Sequence, residues 1–152
     1  LGCRKQLMLM SLNDHSITSV NIEEGFAIAS SWLTDERLSV TVLNGGLPTL
    51  LYYDITTKLF TTSEERWQAA FSDTTDRQLF LVENGTNEIY QWFAKEQEYR
   101  TTTVKLGWVY GNGLDVIASD NALIYMKRNG AKSEIVRHVL DVHNAETHGA
   151  WL

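Results

Sequence analysis

The residues most able to do chemistry cluster near the C-terminal end. His138, His143 and His148 stand close to Asp141 and Glu146, and imidazole with carboxylate is a donor set that suits zinc. The spacing argues against a metal centre. On a strand, His138 and His143 differ by an odd number of positions and face opposite sides. The stretch reads as a polar turn between structural units, in which His143 and His148 could touch a ligand or respond to pH near neutrality. The single cysteine, Cys3, has no histidine near it in sequence, so a thiol nucleophile lacks a base. Leu1-Gly2-Cys3 resembles the end of a lipoprotein box, but no apolar signal stretch precedes it, and Cys3 is expected in a strand. The chain has no Gly-x-Ser-x-Gly elbow and no phosphate-binding glycine loop. Carboxylates come in adjacent pairs, Glu23-Glu24, Asp35-Glu36 and Glu64-Glu65, which point apart on a strand and read as solvated turns rather than glycosidase pairs. No catalytic residue, metal or cofactor is expected, and the chain reads as a non-enzyme.

Aromatic residues are the remaining chemical feature. Five tryptophans occur, Trp32, Trp67, Trp92, Trp108 and Trp151. Most are expected in the core, where rings add large apolar area. The exposed remainder would form a contact patch, and Trp92, Tyr53 and Trp108, with His143 and His148, are the candidate contact residues.

The elements that must position these residues are short strands. Leu38 to Leu43 alternates with period two before Asn44-Gly45-Gly46; Leu50 to Ile55 and Leu59 to Thr62 follow around Thr56-Thr57-Lys58. β-Branched and aromatic runs bounded by turn residues are the hairpin signature. Strands are likewise predicted over 67–72, 78–83, 88–94, 99–104, 106–110, 114–119, 122–128 and 134–141. Asn84-Gly85-Thr86 fits a glycosylation sequon but reads as a hairpin turn. One helical turn is expected at most, over 63–66.

The strands recur. Arg37 and Arg77 stand 40 apart, as do Asn44-Gly45 and Asn84-Gly85, and Tyr52-Tyr53 and Trp92-Phe93. A shorter spacing of 35 relates Tyr90 to Tyr125, and Ala150-Trp151-Leu152 echoes Ser31-Trp32-Leu33, which gives Trp32 an expected packing role. Four strands in about forty residues is the size of one propeller blade. The fold expected is therefore all-β, a partial β-propeller of four-stranded antiparallel blades in one domain over residues 1–152. Part of a blade covers 5–22, full blades cover 26–62, 67–104 and 106–141, and a further blade starts at 147–152. A closed propeller needs about 4–8 blades, so the chain is expected to be a piece of a longer protein, or to self-associate through open blade edges.

Composition limits the partners. Of 152 residues, 43% are hydrophobic and 21% charged, which excludes a disordered chain. The net charge of −6 disfavours binding to a phosphate backbone, so no nucleic acid is expected on this segment. No apolar run reaches the ~20 residues of a membrane-spanning helix, so membrane attachment would come only from a segment outside it.

Two patterns resemble a known family. Ser31-Trp32-Leu33-Thr34-Asp35-Glu36-Arg37-Leu38 is similar to the Trp-Ser-Pro-Asp-Gly core of WD40-like, TolB-type propeller repeats, and Phe71 to Phe80 repeats it. Leu50 to Lys58 is similar to the following hairpin of those repeats, and Ile89-Tyr90-Gln91-Trp92 repeats that. The Pro and Gly of the usual core are absent. Degenerate repeats of this kind resemble those in the sensor domains of CadC- and ToxR-like bacterial transcriptional regulators. That resemblance implies a periplasmic, membrane-anchored signal receiver binding a protein partner or a small-molecule signal. The alternatives it leaves are a propeller gating a peptidase or other hydrolase, and a TolB-like protein-interaction scaffold.

Overall fold

The computed structural model describes residues 6–73, 78–107 and 115–140. Its elements are all strands: β1 (Gln6–Met10), β2 (Ile17–Asn21), β3 (Phe26–Trp32), β4 (Arg37–Asn44), β5 (Leu47–Asp54), β6 (Leu59–Thr62), β7 (Trp67–Asp73), β8 (Gln78–Glu83), β9 (Glu88–Phe93), β10 (Glu98–Lys105), β11 (Val116–Ser119), β12 (Ala122–Asn129) and β13 (Lys132–Val139). They form four antiparallel meanders in chain order: β1-β2, β3-β4-β5-β6, β7-β8-β9-β10 and β11-β12-β13. Each pairing joins neighbours in sequence, so turn chemistry sets it locally. Asp120 and Asn121 both take positive φ between β11 and β12, the pattern of a type I′ hairpin turn.

Three apolar cores lie between the four sheets. The first joins Leu7, Leu9, Val20 and Ile22 to Leu38, Val40, Val42 and Tyr53 of the second sheet. The second joins Leu33, Leu50 and Tyr52 to Trp67, Ala70, Leu79 and Leu81. The third joins Phe71, Phe80, Val82 and Ile89 to Val116, Leu123 and Leu140. Both middle sheets are thus apolar on both faces, which explains the unbroken hydrophobic run Leu79-Phe80-Leu81-Val82. The outer faces of the end sheets are different. Met8, Met10 and Ile17 are exposed at one end, and Ile117, Met126, Ile135 and Val139 at the other.

The repeat is more subtle than a constant spacing. Bulges fall between Ala27 and Ala29 in β3 and between Trp67 and Ala69 in β7, 40 residues apart. Val40 pairs with Leu51 and Leu81 with Tyr90, and all four face the preceding sheet. The spacing is therefore 41 from β4 to β8 and 39 from β5 to β9. Tyr53 and Trp92 are the equivalent pair, not Tyr52 and Trp92. A one-residue slip matters because it sends every side chain to the other face.

Other differences from the sequence reading are local. Residues 63–66 form a turn closed by Trp67 N–H donating to the Glu64 carbonyl (3.1 Å), with no helix. Trp32 is exposed at the end of β3 rather than packed between sheets. The strand expected over 106–110 and the segment 147–152 lie largely or wholly outside the described residues, as does Arg77. Gly25 explains itself sterically: its φ is +75°, and a Cβ there would lie 2.5 Å from the Leu43 carbonyl oxygen and 2.7 Å from Val42 Cγ1.

Candidate binding site

Four rings gather at the second core, Trp67 within it and Tyr90, Trp92 and Tyr99 of β9 and β10 packed against it. Trp92 and Tyr99 are cross-strand partners, with ring centroids 4.5 Å apart. Tyr99 also meets Trp67 at 4.7 Å, and Tyr90 meets Trp67 edge-on at 5.5 Å. Tyr90 and Trp92 share a face because they are two apart on one strand. Trp67 joins them through the β7 bulge at Gln68. Plain alternation back from Ala70 would turn Trp67 to the opposite face, and the extra residue returns it. The bulge is held by Gln68, fully buried, whose amide donates to the Glu83 carbonyl (2.9 Å) and to Asn87 Oδ1 (2.7 Å).

Arg66, next to Trp67, lays its guanidinium over three of these rings, 4.4 Å from the Trp67 centroid, 4.8 Å from Tyr90 and 5.9 Å from Tyr99. Its Nε donates to Glu83 Oε2 (2.8 Å), and Thr86 donates to the other oxygen of Glu83 (2.8 Å). The Tyr90 hydroxyl donates to Glu88 Oε2 (3.1 Å), and Thr101 donates to Glu88 Oε1 (3.0 Å). The result is a shelf with an aromatic floor and a polar rim. Tyr90, Trp92 and Tyr99 are half-buried and Trp67 is fully buried. The indole N–H of Trp92 is buried with no hydrogen-bond partner among the described residues.

The electrostatics hold the charged groups in fixed states. The Arg66 hydrogen bond, and then that of Thr86, keep the Glu83 carboxyl below the usual carboxylate range. The same bond raises the Arg66 guanidinium further. Burial is the main cause that pushes the hydroxyls of Tyr52, Tyr90 and Tyr99 above the ordinary tyrosine value. Arg66 stays cationic, Glu83 anionic and the tyrosines neutral across the physiological range. Such groups orient and attract a ligand, but they shuttle protons poorly.

The residues singled out from sequence separate. Trp92 sits on the shelf. Tyr53 is only 4% exposed; it packs 4.7 Å from Phe60 in the first core, and its edge lines a groove beside β2. The two are on different sheets and are not brought together. Trp108, His143 and His148 lie outside the described residues. His138 lines a smaller cavity of about 480 Å³ with Gln91, Phe93 and Arg100. Among the described residues, no three His, Cys, Asp or Glu side chains are grouped to hold a metal ion. Sequence reasoning missed Arg66, Tyr90 and Tyr99. The hairpin around 94–97 carried the signal for the tyrosines, since it sets Tyr99 opposite Trp92.

No family model matches the chain, and no curated protein matches it. Solved structures do. One is a crystal structure described as the extracellular domain of a hybrid two component system of B. thetaiotaomicron, at 10% identity and a TM-score of 0.52. The likeness covers 94% of this chain but 21% of that one, and at such identity it concerns the fold.

Proposed function

We propose that this chain is a non-enzymatic signal-receiving segment of a membrane-anchored bacterial regulator, lying outside the cytoplasm, with its four sheets arranged as propeller blades of the WD40-like, TolB type. The observation that carries the reading is the likeness in fold, over 94% of the chain, to an extracellular domain of a hybrid two component system. Three cores in series between chain-ordered meanders support the blade arrangement, since each blade of a propeller packs against the next. The shelf supports binding over catalysis: it offers half-buried rings and a cation, and Arg66, Glu83, Tyr90 and Tyr99 are held in fixed charge states. A small-molecule signal would stack on Tyr90, Trp92 and Tyr99, with Arg66 turned toward an anionic or polar group on it. The apolar outer faces at Met8, Met10 and Ile17 and at Ile117, Met126 and Ile135 would take further sheets of the same protein or a second copy. Membrane attachment would lie in another segment.

Compartment is tested by labelling. In the full-length protein with Cys3→Ser and Leu47→Cys, the exposed tip of the β4–β5 hairpin is treated in intact cells with a membrane-impermeant maleimide. Labelling before lysis supports the reading; labelling only after lysis overturns it. Binding at the shelf is tested in parallel. A signal molecule that raises the melting temperature of the wild-type protein should lose most of that effect in Trp92→Ala. An undiminished shift would remove the shelf from the reading.

A further inference from the structure

A groove of about 820 Å³ opens between β2 and the outer part of the neighbouring sheet. β1 is the strand that touches β3, so β2 is the one that faces the groove. Leu51, Tyr53 and Phe60 of β5 and β6 form its apolar floor, with Thr49 and Thr62 beside them. The other wall is Thr18 to Glu24 without a gap. Thr18 and Val20 face the core, whereas Ser19 and Asn21 belong to the opposite face. A cavity lined by both sets wraps around the edge of β2 rather than lying on one face of it.

That edge is open. Among the described residues, β2 pairs with β1 alone. The Ser11 N–H donates to the Ser16 carbonyl (2.9 Å), and this pair continues the β1–β2 register. Counting the alternation of an antiparallel ladder from it, Thr18 and Val20 bond to β1, and Ile17, Ser19 and Asn21 turn their N–H and C=O groups outward. A row of unpaired backbone groups beside an apolar floor is a template for one more strand.

The ends of the groove carry opposite charge. Glu23 and Glu24 stand at the end where Asn44 donates to Glu24 Oε2 (3.1 Å). Lys58 stands at the other, in the β5–β6 turn, because Asn44 pairs with Leu47 and Asp54 with Leu59 at opposite ends of β5. β2 runs toward the glutamates. A strand antiparallel to it would begin beside Glu23 and Glu24 and finish beside Lys58. We propose that the groove receives an extended peptide from a partner protein, seven residues long like the wall from Thr18 to Glu24, added antiparallel to β2, apolar on alternate residues, with a basic residue at its N-terminal end and an acidic one at its C-terminal end. This inference is independent of the shelf and of the compartment proposed above.

The test uses the full chain and two fluorescein-labelled peptides, Arg-Val-Thr-Val-Thr-Val-Asp and its charge-reversed counterpart Asp-Val-Thr-Val-Thr-Val-Arg. Fluorescence anisotropy should show the first binding at least about tenfold more tightly than the second. The double variant Glu23→Lys with Glu24→Lys should abolish or reverse that preference. Ser19→Pro deletes an outward N–H and keeps the pairing to β1, because proline is tolerated where an edge N–H faces solvent; it should remove binding. Hydrogen exchange should show slowed exchange at Ile17, Ser19 and Asn21 in the complex and at unchanged rates in Ser19→Pro for residues of β4 and β8, so that misfolding is separated from a lost edge. Equal affinity for the two peptides, or full binding by Ser19→Pro, would overturn the proposal. So would concentration-dependent dimerisation abolished by Ser19→Pro, which makes the occupant a second copy. Protection of Ser19 in the full-length protein before any peptide is added would assign the groove to the protein's own chain, with the same consequence.

Discussion

Thr41→Val should weaken the fold far more than its small change in volume implies. Thr41 is buried on β4, and its hydroxyl donates to the backbone carbonyl of Gln68 at 2.7 Å, across the second core. Gln68 is the residue at the β7 bulge, where the register with β8 shifts. Valine keeps the shape and deletes the donor. It leaves a buried carbonyl facing a methyl group, at a cost of about 1–3 kcal/mol. For a chain of this size, each kcal/mol moves the melting temperature by roughly 2–4 °C, so a 2 kcal/mol loss lowers it by about 4–8 °C. The same substitution at exposed Thr62 should change stability by no more than about 0.5 kcal/mol. Urea titration of both variants, with m-values compared to confirm unchanged cooperativity, measures the difference. If Thr41→Val proves as stable as the parent, the Thr41 hydroxyl contributes nothing net across the second core, and the reasoning from its 2.7 Å bond is refuted.

Phe80→Ala should cost about 3–5 kcal/mol in the same titration, since Phe80 is fully buried in the third core and stacks on Phe71 at 5.3 Å; a loss below about 1 kcal/mol would mean that this core is not packed. Gly25→Ala should be poorly tolerated, because the new methyl would meet the Leu43 carbonyl at 2.5 Å, whereas Gly45→Ala has open space around it and should cost only the roughly 1–2 kcal/mol of a left-handed backbone. Comparable losses in the two variants would refute the steric argument. The pH dependence follows from Glu83. Its folded pKa lies below the unfolded value near 4.5, so its contribution is complete above that value and is lost as pH falls through the folded pKa. Glu83→Gln should therefore flatten stability against pH below about 4.5, with an effect near 0.2–1 kcal/mol, as for a partly exposed ion pair; an unchanged acid slope would sink it.

Most strands were legible because their signals are local. β8 has the predicted bounds, 78–83, and β4, β7, β9 and β12 differ from theirs by one residue at one or both ends. β-Branched and aromatic runs between Asn-Gly and Asp-Asn turns leave little choice. Face assignment was less legible. The 40-residue spacing matched Tyr52 with Trp92, but the spacing is 39 in that strand, and only the registers expose the slip. The shelf was half visible: Trp92 and its partner Tyr99 follow from one hairpin. Arg66 and Trp67 do not, because a bulge at Gln68 decides which way Trp67 points, and Gln-Ala-Ala carries no bulge signal. The sequence places Tyr53 among the candidate contact aromatics, but the β1–β2 sheet covers it through a contact far away in sequence.

The hydroxyls that cross the second core have a mechanical consequence. Ser39 donates to the Ala70 carbonyl (2.6 Å), Thr41 to that of Gln68, and Ser72 returns the favour to the carbonyls of Trp32 (3.0 Å) and Leu33 (3.2 Å). Apolar side chains resist separation but are nearly indifferent to sliding by a fraction of a residue. Directional bonds running both ways across the seam act as dowels and give it stiffness in shear. The β3–β6 and β7–β10 sheets are therefore pinned against sliding past one another, and a shear that moved one would have to break these bonds before it could leave the other behind.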